Sequence, residues 1–155
     1  MTPEELLKEY NCQDTIVDVS ALARKLKFEV NICAEDIKDF GYILINKKDD
    51  VRTMMLNRDQ SKEMYRFVIA YLIAAYIENG NDRKFAIRAN YKEFLKEENK
   101  KLIDYAIEIL LPDKLLSDKN LELVELKYED LKALKEEFCV PTELVYKKIK
   151  NKGDK

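Results

Sequence analysis

The sequence predicts an α+β domain: a small three-stranded antiparallel sheet packed on a helical bundle with a long buried central helix, plus a C-terminal helix pair. Three observations lead there. Between residues 28 and 56 lie three short runs of strand type, "FEVNIC", "GYILIN" and "VRTMML". Residues 66–80, "RFVIAYLIAAYIENG", carry eleven consecutive apolar residues behind an arginine, and a helix that is apolar all round belongs in the middle of a domain. The 155 residues include only 3 Gly and 3 Pro, which leaves little room for flexible linkers and favours helix.

Each element follows from its residues. Thr2-Pro3-Glu4-Glu5 opens a helix: Thr2 suits the N-cap, Pro3 the first turn, and the two glutamates the positive end of the dipole. In "TIVDVSALARKLKFEV", Val19, Leu22, Ala23 and Leu26 stand at i, i+3, i+4 and i+7, the stripe of a second buried helix capped by Asp18 or Ser20. "FEVNIC" (28–33) alternates apolar and polar side chains and reads as a strand. "GYILIN" (41–46) and "VRTMML" (51–56) flank the charged "KKDD" (47–50), so they read as a hairpin with a solvated tip. Asn57, Asp59 or Ser61 caps the long helix, which runs from about 61 to 79 and stops at Asn79-Gly80-Asn81-Asp82. "FAIRAN" (85–90) fits either a short strand or a helix start. A helix is expected from Tyr91 to Leu111, ended by Pro112, then a turn at "DKLL". Two further helices are expected at "YEDLKALKEEF" (128–138) and "PTELVYKKIKN" (141–151), with a tight break at Cys139-Val140. The domain expectation is residues 1–120 as the main unit and 121–155 as a helical appendage packed on it.

Composition removes whole classes of chemistry. The chain has no histidine, which excludes Ser-His-Asp triads, Cys-His pairs and histidine-ligated zinc. Its three cysteines, Cys12, Cys33 and Cys139, form no CxxC and are odd in number, so neither a disulfide framework nor a thiolate metal site is expected. Reduced thiols, and a polar acidic start without the pattern of a signal peptide, point to the cytoplasm. The 28 basic and 30 acidic residues leave a charge of −2, so no global basic field attracts nucleic acid. No glycine-rich phosphate loop can be built from Gly41, Gly80 and Gly153. The apolar run spans roughly 17 Å as a helix, short of the roughly 20 residues a bilayer core requires. No membrane partner and no cofactor are expected.

Several motifs recur in an order with meaning. A segment with Asp18 precedes a short helix and a strand; Gly41 opens "GYILIN"; "TMMLN" ends a strand in Asn57; Arg66, Phe67, Ile69 and Ala70 open the apolar helix; "YAIEILLP" (105–112) and "LKALKEEFCVPTELVYKKI" (131–149) follow. In order and spacing the chain resembles the ImmA/IrrE family of zinc metallopeptidases over most of its length. The resemblance implies a zincin-like fold and a central helix of the form RFxxAHExGH. The two histidines, four residues apart on one helical face, would hold zinc, and the glutamate would act as general base. Here those positions are Tyr71, Leu72 and Ala75, and the third-ligand region, residues 99–101, reads Asn, Lys, Lys. The resemblance therefore implies a degenerate member without catalytic or metal residues, a pseudoenzyme.

Tyr71, Leu72, Ala75 and Tyr76 are the candidates for a vestigial groove. Apolar residues at this spacing either fill the groove as core or line a surface that kept its shape for a peptide or partner helix. Tyr71 and Tyr76 are the expected anchors, since tyrosine is enriched at binding hot spots. Members of the family commonly accompany helix-turn-helix repressors on mobile elements or in stress and toxin–antitoxin loci. The resemblance thus implies a regulatory protein-binding role, with such a repressor as partner. The alternative is a DNA-binding regulator using the helix pair of residues 128–152, with Tyr146, Lys147, Lys150 and Lys152 toward phosphates. Against it, the same lysines suit a solvated face over Leu144, Val145 and Ile149, and only the terminal Asn151 is a base-reading type.

Overall fold

A computed structural model of the chain describes residues 1–46, 48, 51–79, 87–117 and 127–153. The described elements run in the order α1 (Pro3–Glu9), α2 (Val19–Lys25), β1 (Phe28–Cys33), β2 (Gly41–Asn46), β3 (Val51–Asn57), α3 (Lys62–Asn79), β4 (Ile87–Ala89), α4 (Tyr91–Phe94), a 3-10 turn (Glu97–Asn99), α5 (Lys100–Leu110), α6 (Asp113–Leu116), α7 (Tyr128–Phe138) and α8 (Thr142–Gly153). The class is α+β as expected. The "KKDD" tip beyond Lys48, the helix stop after Asn79, the start of "FAIRAN" and the boundary at residue 120 lie outside the described residues.

The helix starts follow their caps. Thr2 Oγ1 accepts from Glu5 N at 3.1 Å while Glu5 Oε2 accepts from Thr2 N at 2.8 Å, a reciprocal capping box. Asp18, rather than Ser20, caps α2 by accepting from Ala21 N at 3.0 Å. At α3 the choice falls on Ser61, whose Oγ accepts from Met64 N at 3.1 Å. α3 then buries every residue from Phe67 to Ala75. It packs against α5 and α2 on its helical sides and against β2 and β4 of the sheet. Among the described residues no helix is long and apolar enough to cross a membrane.

The sheet corrects the expectation of three antiparallel strands. It has four strands in the order β1-β3-β2-β4. β1 runs parallel to β3, with Phe28 opposite Arg52 and Cys33 opposite Asn57. The β2–β3 hairpin is antiparallel, with Gly41 opposite Leu56 and Asn46 opposite Val51, and β4 adds antiparallel to β2, with Ile43 opposite Ile87. Alternation in a strand says which face is buried but not which way its neighbour runs, and here the chain places β3 between β1 and β2. Phe28, Ile43, Met54, Leu56 and Ala89 form the buried face toward α3. Gly41 has a steric reason to be glycine: a Cβ there would stand 3.0 Å from Leu56 Cδ2, Met55 O and Val68 Cγ1, where β2 crosses α3.

The loop between β1 and β2 is held by Asn57. Its Nδ2 donates to Ile37 O and Asp39 O, both at 3.1 Å, and its Oδ1 accepts from Asp59 N at 2.7 Å. The asparagine that closes "TMMLN" thus satisfies backbone that no strand pairs.

The single helix expected over 91–111 is broken. Asn90 Oδ1 caps α4 by accepting from Glu93 N at 2.8 Å. Lys96 then turns extended, at φ −70° and ψ 133°. Asn99 Nδ2 reaches back to Glu93 O at 2.8 Å, an alternative to the helical ladder of the kind asparagine favours. The strongly amphipathic part starts only at Lys100, and Leu102, Tyr105, Ala106, Ile109 and Leu110 face inward from there.

α7 matches its expected bounds, and the tight break is Cys139 in left-handed conformation at φ 52°. Leu134, Phe138, Val140, Val145 and Ile149 join the same buried cluster as α3. Lys148, only 4% exposed, is clamped by Glu108 on α5 and by Asp113 at 2.7 Å.

Candidate functional site

Tyr71, Ala75 and Asn79 stand at i, i+4 and i+8 on α3, so they share one helical face. That face borders a cavity of about 270 Å³. β4 contributes Ile87 and Arg88 to the walls, α4 contributes Glu93, the 3-10 turn Asn99 and α5 Leu102. The segments that break the expected 91–111 helix therefore contribute Glu93 and Asn99 to the cavity wall.

Tyr71 is 1% exposed. Its ring stands edge-on to Phe94 at 4.9 Å, within an aromatic group that includes Phe67 and Phe40. Burial, and secondarily the negative charge of Glu93, push the phenol up to about 12. Glu93 Oε1 accepts from Lys96 Nζ at 2.8 Å and its Oε2 from Asn99 Nδ2 at 3.2 Å. Asn79 Nδ2 donates back to Ala75 O at 2.8 Å. Arg88 is turned to Asp39, 2.5 Å away, and lies 5.7 Å over the Tyr42 ring; Asn90 Nδ2 also donates to Asp39, at 2.7 Å.

Of the four groove candidates, the structure brings Tyr71 and Ala75 together at this cavity. Leu72 is wholly buried. Tyr76 lies on the sheet side of α3, edge-on to Phe28 at 5.1 Å with the Arg52 guanidinium 5.0 Å over its ring. Five residues of helix put it well round from Tyr71, so the two tyrosines do not line the same cavity. Of residues 99–101 only Asn99 lines the cavity; Lys100 pairs with Glu97 at 2.8 Å and Lys101 with Glu78 at 3.7 Å. The sequence reasoning missed Glu93, Asn79, Ile87 and Arg88. Asn79 was detectable at i+8, whereas Glu93 was hidden inside the continuous helix expected there.

The zinc that the resemblance implies does not fit this donor set. The cavity offers a phenol held neutral, a methyl, two amides whose nitrogens already donate, and a single carboxylate occupied by Lys96 and Asn99. Zinc requires three or four nitrogen, thiolate or carboxylate ligands. Among the described residues no three Cys, Asp or Glu converge in a way that suits a metal ion.

The proposed phosphate contacts on α8 are spread over different settings. Tyr146 and Lys150 are exposed, and Lys147 pairs with Asp104 on α5 at 3.3 Å. The side chain of Lys152 lies outside the described residues.

The two buried phenols carry a pH consequence. Tyr105 is also raised, by burial first, and its hydroxyl donates to Met1 O at 2.9 Å. A raised pKa in the folded state means that the fold holds the proton longer than the unfolded chain does. The stabilisation from Tyr71 is then complete below the ordinary tyrosine value of about 10 and is lost as pH rises through about 12. Urea unfolding across this window is expected to show stability falling above about pH 10. Tyr71→Phe should flatten part of the fall.

No curated protein matches the chain. A family model described as the IrrE N-terminal-like domain matches residues 26–150, which takes in every described element from β1 to α7 and most of α8. The central helix, the sheet beside it and the cavity on the face where that family's motif would lie are all inside the match, and the chain belongs to the family of IrrE N-terminal-like peptidase domains.

Proposed function

We propose that this chain is a non-catalytic member of the family, a cytoplasmic regulatory protein that binds another protein without cleaving it. One observation carries the reading. The face of α3 that would hold zinc keeps an open cavity, but Tyr71 and Ala75 stand at the ligand positions and its lone carboxylate, Glu93, is bonded to Lys96 and Asn99. A cavity of this kind, concave and edged by a few placed polar groups, suits recognition even where the ligands for catalysis are missing. Three cysteines free of disulfides accord with a reducing compartment.

The partner class follows from the family resemblance: a helix-turn-helix repressor of the kind that accompanies these proteins. The test is co-purification of the tagged chain from its native cells, then reconstitution with any repressor recovered. The expected result is a stable complex in which the repressor remains full length after prolonged incubation with zinc present. Cleavage of the repressor that disappears with a chelator would contradict the reading.

A further inference from the structure

The cavity beside α3 has a chemical character that narrows what can enter it. Its anionic group is Glu93. Glu93 supplies a carboxylate; Asn99 has committed both amide N–H groups to Glu93, which leaves its carbonyl, and Asn79 has committed one N–H to Ala75 O, which leaves its carbonyl and one N–H. Ala75, Ile87 and Leu102 supply apolar wall. The basic residue in the lining, Arg88, is neutralised by Asp39 and covers the Tyr42 ring. The negative field of Glu93 reaches the Tyr71 hydroxyl and helps to keep that phenol protonated.

Building on the reading of the chain as a non-catalytic binder, we propose that this cavity receives the side chain of an arginine on the partner protein. The volume of about 270 Å³ suits one large side chain better than an extended ligand. An aliphatic stem fits against Ala75, Ile87 and Leu102, and the planar five-donor fork of a guanidinium matches the Glu93 carboxylate in a lining that also holds two side-chain amides. An apolar side chain would make no use of Glu93, and an acidic one would be repelled by it. The ammonium now on Glu93 belongs to Lys96, three residues along, with the two side chains 39% and 29% exposed. Solvated pairs of this type are weak, so an arriving guanidinium replaces Lys96 readily.

The test uses the full chain with methyl-labelled Ala, Ile and Leu, titrated by NMR with Nα-acetyl-argininamide and, separately, with Nα-acetyl-citrullinamide. Citrulline has the same shape without the charge. The expected result is saturable movement of the Ala75, Ile87 and Leu102 methyls, with the arginine compound binding about 10-fold tighter than the citrulline one. Glu93→Gln is expected to erase the difference while leaving the methyl spectrum folded. Equal binding of the two compounds, or movement of none of these methyls, overturns the proposal. If Glu93→Gln disturbs the fold, the ratio on the unsubstituted chain still decides. Failure here leaves the non-catalytic reading standing, whereas zinc retention or repressor cleavage removes that reading whatever this titration shows.

Discussion

Replacing Arg66 by methionine is expected to destabilise the fold by about 3 kcal/mol, because charged donors to buried carbonyls are the strong class of hydrogen bond and their loss leaves the acceptors unpaired. Arg66 sits in the first half of α3 and donates to three backbone carbonyls in two segments: Val17 O at 2.7 Å, just before α2, and, at the end of α7, Cys139 O at 2.9 Å and Phe138 O. Two of those carbonyls end α7, where a cation also meets the negative end of the helix dipole. Burial pushes the guanidinium down from its ordinary value, but arginine stays charged throughout. Methionine keeps the stem and removes the fork. Urea unfolding reads the loss, and a melting point lower by roughly 6–12 °C is the thermal equivalent for a chain of this size. Arg66→Lys should recover less than half, since a single ammonium cannot span three carbonyls. A change below about 1 kcal/mol for the methionine variant would show that the three carbonyls do not depend on this side chain.

The second large effect is a gain. Changing Tyr71→His and Ala75→His together is expected to raise zinc affinity by at least about 100-fold, since two imidazoles four residues apart on one helical face plus a carboxylate form a three-ligand zinc set. Glu93 is the carboxylate in place, because it lines the same cavity as both positions. The substitution itself has a stability cost of about 2 kcal/mol from the lost edge contact between Tyr71 and Phe94. Zinc should more than restore it: a ligand at 100 times its Kd stabilises by about 2.7 kcal/mol. Differential scanning with and without zinc gives the readout. Adding Glu93→Gln to the pair should cancel most of the metal-dependent rise. A double variant blind to zinc would mean that Tyr71 and Ala75 do not occupy the ligand positions assigned to them.

What the sequence made legible was local chemistry. Thr2, Asp18 and Ser61 are short polar residues ahead of apolar periodicity, and each caps its helix with a bond to a backbone amide. The eleven-residue apolar run of α3 declared its own burial, and its first nine residues, Phe67 to Ala75, are buried. The β2–β3 hairpin followed from two strand runs across a charged tip. Long-range pairing was not legible. The parallel partnership of β1 with β3 depends on the route through residues 34–40, which Asn57 fixes from a distance in sequence. The break between α4 and α5 depends on Asn99 reaching back to Glu93, where local propensity favours continuous helix. The α4–α5 break supplies Glu93 and Asn99 to the cavity, and the pairing of β4 with β2 places Ile87 and Arg88 in it. Its α3 face, Tyr71 and Ala75, could be named from the motif, while Glu93 and β4 could not. Tyr76 was misplaced because a shared residue type was followed instead of the 3.6-residue period.

The metal content of the purified chain tests the central claim most directly. After incubation with micromolar zinc and desalting, elemental analysis of the unsubstituted protein should find zinc no higher than in a non-binding control, with the Tyr71→His and Ala75→His double variant as the positive comparison. One zinc retained per chain in the unsubstituted protein would contradict the account, because it would require a ligand set that Tyr71, Ala75 and the single carboxylate of Glu93 do not supply.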